Sequence, residues 1–379
     1  MPRPIAVHIS TSALRHNLSK VRSTLQQQVA PLQRDTPKIW AVIKANAYGH
    51  GIAAAVQGFE QADGLAMLDF AEAVQCRELG WQKPIMLLEG FFSAQDLLLI
   101  DQYRLTTVIH SQHQIQDLQK MAVQLQHPVD VMLKLNTGMN RLGFGTEQFA
   151  LAFAQLQQLQ QEGVVGELGK MTHFARADDD PSITYQQLQC FNQYTEGLPG
   201  VVSVCNSAGT LTASLQQHLS KHHEQWVRPG VCLYGSSPFA GVPAQELGLQ
   251  PAQTLTAQII SVRDISAHQG VGYGHSFISP TPMRLGVVAC GYADGYPRHA
   301  PSGTPVVVNG QRTTLVGRVS MDMLMVDITH LPEAQVGSKV VLWGQNGPTV
   351  DEVAQAAGTI GYELLCAVAA RVPRIVLES

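Results

Sequence analysis

The sequence predicts an α/β fold in two parts, a (β/α)8 barrel of the TIM type at the N-terminus and a mostly β domain at the C-terminus. In the first two thirds of the chain, short apolar runs alternate with longer amphipathic segments. After Pro238 this alternation stops, and β-branched runs separated by turn residues recur instead. We therefore expect residues 1–240 to form the barrel and residues 241–379 to form the β domain. A chain of 379 residues is long enough for both.

Eight apolar runs in the first part are predicted strands, and helical stretches separate most of them. They are Lys38–Lys44, Gly64–Leu68, Pro84–Leu88, Leu105–Ile109, Val129–Leu135, Val165–Thr172, Val201–Cys205 and about Gln225–Arg228. The helical stretches include Ala71–Leu79, Ser111–Leu125, Glu147–Gln161 and Ser182–Thr195. Eight such units over roughly 230 residues fit a barrel, which typically takes about 250. A doubly wound sheet is the alternative, but no G-x-G-x-x-G motif follows the first strand.

The second part begins with a linker, Phe239–Pro251, which is rich in Gly, Pro and polar residues. Its predicted strands are Thr254–Val262, Leu285–Cys290, Pro305–Val308, Thr313–Val316, Leu324–Ile328 and Lys339–Leu342. The dipeptide Asn309-Gly310 lies between two of them and predicts a tight β-hairpin.

Composition excludes several classes of protein. Hydrophobic residues make up 45% of the chain, which is enough for a large core, and the net charge of −4 gives no basic face for nucleic acid. No apolar run approaches the roughly 18 residues of a membrane-spanning helix, and the N-terminus lacks the apolar segment of a signal peptide. The six cysteines form no C-x-x-C pair, so a zinc site is not indicated. We expect a cytoplasmic protein that binds neither membrane nor nucleic acid.

Barrel enzymes carry their reactive groups at the carboxyl ends of the strands. Lys44 ends the first apolar run, where burial would lower the pKa of its amine and make it a nucleophile toward aldehydes. A lysine that only extends its amine to solvent is the alternative at this position. The polar residues at the other strand ends are Lys134 and Arg141, His173, Asn206 and Ser207, and Arg228 with Gly230.

An amine that forms a Schiff base suggests pyridoxal 5'-phosphate as the cofactor. This cofactor needs a phosphate site, which barrels usually build from the loops after strands seven and eight. Ser207 offers a hydroxyl there, and Gly230-Val231 offers backbone N–H groups. Taken alone, Ser207 is better explained as a helix N-cap.

Nine strings of the sequence match one known family in the same order along the chain. They are AVIKANAYGHG, LKLNTGMNRLGF, THFARAD, CNSAG, VRPGVCLYG, VGYGHSF, GYADGYPR, GRVSMDM and GYELLC…RVPR. Over nearly its whole length the chain resembles alanine racemase, an enzyme that depends on pyridoxal phosphate. The family fold is a barrel followed by a β domain, which agrees with the fold derived above from the sequence pattern.

The resemblance implies a mechanism with two bases for interconverting L-alanine and D-alanine. It implies that Lys44 forms the Schiff base and carries the proton on one face, and that Tyr273 does so on the opposite face. His173 would be the neighbour of Tyr273 and would itself border Arg228. A tyrosine hydroxyl is a weak acid, so its anion would need such support.

The resemblance also implies how the cofactor is held. Arg228 would face the pyridine nitrogen, which remains a hydrogen-bond acceptor because arginine can only donate. Arg141 would lie near the phenolic oxygen of the cofactor and the carboxylate of the substrate. Lys134 matches a lysine that is often carbamylated in the family, although an unmodified lysine is an open alternative. The matching phosphate contacts are Tyr48, Ser207, Gly230, Val231 and Tyr362.

Residues of the β domain are implied in a second subunit's site. Met321 and Asp322 match residues that face the substrate, and Tyr292 matches one that narrows the entrance. In the family, Tyr273, Tyr292 and Met321 come from the partner subunit of a head-to-tail homodimer. Neither site would then be complete in a monomer.

Two alternative functions remain open at this point. One is a related barrel enzyme that decarboxylates, or that acts on another amino acid such as serine; Arg228 argues against decarboxylation. The other is a regulatory protein that binds the cofactor without turnover, and the β domain with Tyr273 argues against it. We expect no metal site. His218 and His222 have helical spacing but no third ligand, and Asp178–Asp180 before Pro181 is more typical of a helix start.

Overall fold

The computed structural model describes residues 3–219 and 224–377. Its strands are β1 (Ile5–Ser10), β2 (Lys38–Val42), β3 (Gly64–Met67), β4 (Ile85–Leu87), β5 (Thr106–Ile109), β6 (Val129–Lys134), β7 (Val165–Met171), β8 (Val202–Ser203), β9 (Gln225–Val227), β10 (Gln253–Ile265), β11 (Gly270–Val271), β12 (Phe277–Ile278), β13 (Met283–Val288), β14 (Pro305–Val308), β15 (Gln311–Val316), β16 (Leu324–Asp327), β17 (Lys339–Trp343) and β18 (Arg374–Leu377). Its helices are α1 (Thr11–Val29), α2 (Lys44–Tyr48), α3 (Ile52–Gly58), α4 (Phe70–Glu78), α5 (Asp96–Tyr103), α6 (Gln112–Met121), α7 (Thr146–Gln161), α8 (Pro181–Thr195), α9 (Ser207–Leu211), α10 (Ala213–His218), α11 (Val350–Ala356) and α12 (Gly361–Ala367).

The strands β2 to β9 form a closed parallel barrel in chain order, with β9 pairing back to β2. The residues of β3, β4 and β5 are all buried, because one face of each strand fills the barrel and the other packs on helices. Trp40 on β2 stacks on Trp226 on β9 with ring centroids 4.3 Å apart, which stabilises the closure. Each of the eight predicted runs contains one barrel strand, so the predicted (β/α)8 barrel is confirmed.

The second sheet has the strand order β13-β16-β15-β14-β17-β10-β1-β18, and β10 also pairs with β13. Six of its strands therefore pair in a cycle, which β1 and β18 extend at one side. The predicted hairpin at Asn309-Gly310 joins β14 to β15 in antiparallel register. Both turn residues have positive φ, 47° and 81°, as a tight hairpin turn of this type requires. The mostly β character of the second part is confirmed.

The first strand of the chain does not belong to the barrel. β1 pairs antiparallel with β10 and parallel with β18, so the N-terminus is anchored in the second sheet. Sequence reasoning missed β1, β18 and the short pair β11–β12. β11 and β12 have only two residues each, which is too few for a hydrophobic alternation to show. The division into residues 1–240 and 241–379 stays a prediction. The pairing of β1 shows that residues 5–10 belong to the second sheet.

Local signals explain where several helices begin. Asp180 accepts a hydrogen bond from the backbone N–H of Ile183 at 3.2 Å, and Pro181 occupies the first helical position of α8. The acidic run before Pro181 is therefore a helix start, as predicted. Thr349 and Glu352 form a reciprocal capping box at the start of α11.

Candidate active site

A cavity of about 170 Å³ lies at the end of the barrel where the carboxyl ends of the parallel strands meet. Residues at or after the ends of seven barrel strands line it, together with Tyr362 from α12. The site residues predicted from the sequence that line it are Lys44, Tyr48, Lys134, Arg141, His173, Ser207, Arg228, Gly230 and Tyr362. The other residues of the lining are Val42, Leu68, Leu88, Glu89, Leu142, Met171 and Asn206.

A second cavity of about 170 Å³ lies at the opposite end of the barrel. Its two most buried charged side chains are satisfied within the chain. Arg77 donates hydrogen bonds to four backbone carbonyls. Asp101 accepts from the backbone of Gln126 and from the backbone and ring of His127. Because hydrogen bonds within the chain already satisfy both charges, they leave little to bind a ligand, and we assign the candidate site to the first cavity.

Lys44 begins α2, which is a left-handed turn rather than an ordinary helix. Ala45, Asn46, Ala47 and Tyr48 have φ between 51° and 55°. This conformation costs roughly 1–2 kcal/mol per L-residue and is rarely adopted by consecutive residues, so the surroundings must stabilise it. The turn places the side chains of Lys44 and Tyr48 on the same cavity.

The amine of Lys44 is suited to act as a nucleophile. Burial and, after it, the positive charge of Arg141 lower its pKa from the ordinary value. Among the described residues, no protein acceptor receives a hydrogen bond from this amine. A lowered pKa increases the fraction of the neutral amine, which is the form that attacks an aldehyde.

Lys134 and Arg141 bring further positive charge into the cavity. Lys134 ends β6 and is only 6% exposed. Burial, followed by the neighbouring Arg228 and Arg141, lowers the pKa of Lys134 to about 8. Neither Lys134 nor Arg141 donates a hydrogen bond to any described protein acceptor, so both can donate to a ligand.

Arg228 is 3% exposed and is held rigidly at the floor of the cavity. Its Nη1 donates to Ser203 Oγ at 2.5 Å and its Nη2 donates to the carbonyl of Thr172 at 2.5 Å. Burial lowers the pKa of Arg228 to about 10, so the guanidinium remains charged at neutral pH. The Nη2 also lies 3.5 Å from Nδ1 of His173. Burial and this neighbouring cation lower the pKa of His173 well below its usual range, which leaves the imidazole neutral.

The loops after β8 and β9 form a small polar cradle. The backbone N–H of Gly230 donates to Ser207 Oγ at 2.8 Å. A Cβ atom at position 230 would lie 2.4 Å from the hydroxyl oxygen of Tyr48, so only glycine lets that hydroxyl reach the backbone. The rings of Tyr48 and Tyr362 lie 6.1 Å apart on the same side of the cavity. Val231 is buried behind Gly230, and its side chain does not line the cavity.

The predicted residues of the second part do not reach this cavity within the chain. Tyr273 is 70% exposed and Met321 is 54% exposed. Tyr292 lies beside Met321, because the N–H of Ala293 donates to the carbonyl of Met321 at 3.0 Å. Asp322 forms an ion pair with Arg371 at 2.6 Å. These side chains form an exposed face of the second part that is separate from the barrel cavity.

Sequence reasoning missed one charged residue of the lining, Glu89. It follows the end of β4 by two residues. Reading the carboxyl end of every predicted strand, rather than five of them, would have found it. Asn206 was noted at a strand end, and the structure shows that its side chain accepts from the N–H of Gly209 at 3.0 Å and caps α9.

In the part of the chain that the structure describes, no cluster of three or more His, Cys, Asp or Glu side chains could hold a metal ion. His218 ends α10, whereas His222 and His223 lie outside the described residues. No helix in residues 3–219 and 224–377 is long and apolar enough to cross a membrane.

The lining as a whole is built for an anionic ligand. Four of its charged side chains are cations, Lys44, Lys134, Arg141 and Arg228, and one, Glu89, is a carboxylate. The hydroxyls of Tyr48, Ser207 and Tyr362 line the cavity and can bind an oxyanion without adding charge. The amine of Lys44 lines the same cavity and could bond covalently to an aldehyde on the same ligand.

Known proteins resemble the chain over nearly its whole length. The family model described as alanine racemase, N-terminal domain, matches residues 9–238, and the model of the alanine racemase C-terminal domain matches residues 252–376. The chain is 59% identical to an alanine racemase of Bordetella petrii over 374 residues, which covers 98% of this chain and 99% of that one. The structure of a biosynthetic alanine racemase from Pseudomonas aeruginosa superposes with a TM-score of 0.89 at 44% identity and covers 99% of this chain and 100% of that one. A structure from Acinetobacter baumannii gives a TM-score of 0.86 at 37% identity, with 99% and 100% covered.

Proposed function

The chain belongs to the alanine racemase family, and from that premise we propose that it interconverts L-alanine and D-alanine with pyridoxal 5'-phosphate bound in the barrel-mouth cavity. The observation that carries the proposal is the set of cations around this cavity. Three cations of this cavity, Lys44, Lys134 and Arg141, make no hydrogen bond to a described protein acceptor. The buried guanidinium of Arg228 lines the same cavity.

The residues present fit this cofactor. The phosphate would be held by the hydroxyls of Tyr48, Ser207 and Tyr362 and by backbone N–H groups at Gly230 and Val231. The glycine at position 230 supports this, since a Cβ there would occupy the space beside the Tyr48 hydroxyl. The amine of Lys44 would bond to the aldehyde carbon. When bound, pyridoxal phosphate supplies an electron sink that acidifies the Cα proton of the attached amino acid.

Arg228 and Arg141 would contact different parts of the cofactor and hold it in place. Arg228 would face the pyridine nitrogen, and as a pure donor it leaves that nitrogen unprotonated. The resulting weaker electron sink favours return of the proton to Cα over transamination. Arg141 would donate to the phenolic oxygen of the cofactor and to the carboxylate of alanine, consistent with its lack of a protein acceptor among the described residues.

Racemisation needs a proton carrier on each face of Cα. We assign one face to the amine of Lys44, whose lowered pKa increases the fraction of neutral amine that can act as a base. We assign the other face to the hydroxyl of the partner's Tyr273. The neutral His173 faces Nη2 of Arg228 with its Nδ1, which can only accept from the guanidinium, so its Nε2 carries the proton and would donate a hydrogen bond to the phenolic oxygen of the partner's Tyr273.

The second subunit is part of this proposal. Tyr273, Tyr292 and Met321 lie on an exposed face, away from the cavity of their own chain. In a head-to-tail homodimer they would complete the site of the other subunit, with Asp322 next to them facing the substrate.

We further propose a cytoplasmic location.

We also propose that Lys134 carries a carbamate. Its amine, with a pKa of about 8, has a substantial neutral fraction that can bond to carbon dioxide and release one proton. The product is an anion that would accept hydrogen bonds from Arg141 and fix its orientation. Intact mass in bicarbonate buffer, compared with mass after removal of carbon dioxide, should differ by one carbon dioxide per chain.

The test of the proposed function is incubation of the purified protein with L-alanine in deuterated water. We expect D-alanine to appear together with deuterium at Cα. Release of carbon dioxide would identify a decarboxylase instead. Spectral binding of the cofactor without turnover would identify a regulatory protein, and preferred turnover of serine would correct the substrate.

A further inference from the structure

We propose that His50, Arg374 and Glu72 are positioning residues that keep the turn α2 in its left-handed form and thereby fix the direction of Lys44 and Tyr48. This rests on the proposed function only in that Lys44 and Tyr48 are taken to hold the cofactor. The turn itself, and the bonds that hold it, are features of this chain.

The turn cannot owe its conformation to glycine. Four consecutive residues that are not glycine have positive φ, and Gly49 continues them with φ of 78°. A chain left to itself would relax from this conformation, since a left-handed run is unfavourable for L-residues. Contacts from outside the turn must therefore account for it.

The carbonyls of the turn are bound by side chains at its C-terminal end. Nδ1 of His50 lies 3.0 Å from the carbonyl of Ala47 and 2.9 Å from that of Tyr48. Both carbonyls are acceptors, so Nδ1 carries the proton and donates to them. Nε2 is buried without a partner, and burial lowers the pKa of His50 to about 4, so the ring is neutral. The histidine therefore serves as a fixed donor to the backbone and carries no proton in the reaction.

Arg374 binds the next carbonyl of the turn. Its Nε donates to the carbonyl of Gly49 at 3.0 Å, and its Nη2 donates to the carbonyl of Val368 at 2.9 Å. Arg374 is the first residue of β18, which pairs with β1 in the second sheet. One side chain thus connects the turn in the barrel to the C-terminal strand of the other part.

Two further elements, α4 and α12, also contact the turn. Oε1 of Glu72, on α4, accepts a hydrogen bond from the N–H of Asn46 at 2.6 Å. A Cβ at position 49 would lie 2.2 Å from the carbonyl oxygen of Leu365, so α12 packs directly on the turn and leaves no room for a side chain there. The turn is therefore held from α4 and from two C-terminal elements, α12 and β18, and Arg374 on β18 is 325 residues from Gly49.

The chain offers substitutions that separate the donor from the shape of the side chain. Arg374→Gln keeps an N–H donor at the position of Nε, whereas Arg374→Met has similar length and no donor. His50→Asn likewise keeps a donor near the position of Nδ1, whereas His50→Leu does not. The control is Lys170→Met. Lys170 is buried and donates to three carbonyls of residues 198–200, which are remote from the turn, so its loss should lower stability without touching α2.

The readout is amide hydrogen exchange of residues 44–52 in the full-length protein, with and without pyridoxal phosphate. We expect Arg374→Met and His50→Leu to raise exchange of this segment at least about 10-fold without the cofactor, and to weaken cofactor binding by a similar factor. Arg374→Gln and His50→Asn should stay within about threefold of wild type. Lys170→Met should lower the melting temperature but leave the exchange of residues 44–52 unchanged.

Equal exchange rates of residues 44–52 in the donor and non-donor variants at both positions would overturn the inference. It would also be overturned if exchange of this segment in all variants simply followed their melting temperatures. If Arg374→Met does not fold, the pair at His50 decides. None of these measurements depends on turnover. A wild type that fails to racemise alanine would refute the proposed function and leave the exchange result standing.

Discussion

The barrel mouth and the exposed face of the second part contribute to the proposed site in different ways. At the barrel mouth, strand ends and the turn α2 assemble buried cations within one chain, and hydrogen bonds fix Arg228 in place. On the exposed face, Tyr273 and Met321 point away from their own cavity, at 70% and 54% exposure. The first region holds several cations together in a buried pocket, whereas the second is exposed to solvent in the single chain. Under the proposed function, one chain would supply the cofactor-binding residues and one proton carrier, and a partner subunit would supply the other carrier.

The largest expected effect is that of removing Lys44, which belongs to the barrel mouth. Lys44→Ala removes the nucleophile and one proton carrier, so racemisation should fall by at least about 10³-fold. Chirality of alanine over time measures the rate, and the visible absorbance of the bound cofactor shows whether the covalent link is lost. Substantial activity in this variant would place the nucleophile elsewhere. The melting temperature without cofactor serves as the control for folding.

The next largest effect is expected from Tyr273, the proposed proton carrier on the exposed face. Tyr273→Phe removes only a hydroxyl, so cofactor binding should remain while proton removal from one enantiomer slows by about 10²–10⁴-fold. Exchange of the Cα proton in deuterated water, started separately from L-alanine and D-alanine, measures each face. Equal loss from both enantiomers would contradict the assignment of two faces.

Mixing the two variants sharpens the comparison between the regions. Lys44→Ala and Tyr273→Phe chains each lack one of the two proton carriers and so should hardly racemise alanine, but a mixed dimer contains one site with both wild-type residues. If chains pair at random in an equal mixture, half of the dimers are mixed and each has one complete site, so about a quarter of wild-type activity should return. Co-expression with two affinity tags isolates the mixed dimer. No recovery in it would place Tyr273 in the site of its own chain.

The smallest expected effect is on the free energy of unfolding, which is lowered by burying the positive charge of Lys134 in the cavity. In the folded chain the pKa of Lys134 is about 8, below its ordinary value of 10.5. Between these pH values the unfolded chain binds more protons, so the folded state gains stability as pH rises through this window, and the full penalty remains below it. Lys134→Met should therefore be more stable than wild type at pH 7, by up to about 3 kcal/mol.

This advantage should shrink as the pH approaches 10. Urea unfolding without cofactor, in buffer free of carbon dioxide, measures the difference. A constant difference across this range would show that the amine titrates normally. Added bicarbonate should stabilise the wild type and leave Lys134→Met unchanged if a carbamate forms.

Much of the barrel half was predictable because its signals are local. Each barrel strand is a short apolar run, and parallel strands place their carboxyl ends together, so Lys44, Lys134, Arg141, His173 and Arg228 could be expected at one cavity. The tight hairpin at Asn309-Gly310 was predictable for the same reason. The roles of single residues, by contrast, came from the resemblance of nine strings to a known family.

What the sequence could not supply depends on contacts between distant segments. The pairing of β1 with β10 joins residues about 250 apart, and no local pattern specifies it. The left-handed form of α2 opposes the preference of its own residues, since Ala and Tyr favour right-handed helices. His50 directly follows this segment in the sequence, and only the fold shows that it donates to carbonyls of the turn that precedes it.

The sequence by itself determined the eight apolar runs, the change of pattern after Pro238 and the set of polar residues at the strand ends, because hydrophobic periodicity and turn chemistry act within a few residues. The tertiary structure decided which of those polar residues are buried together, which pKa values burial shifts, and that Tyr273 and Met321 lie apart from the cavity. Those properties arise from desolvation and from hydrogen bonds between remote segments, which exist only once the chain has folded.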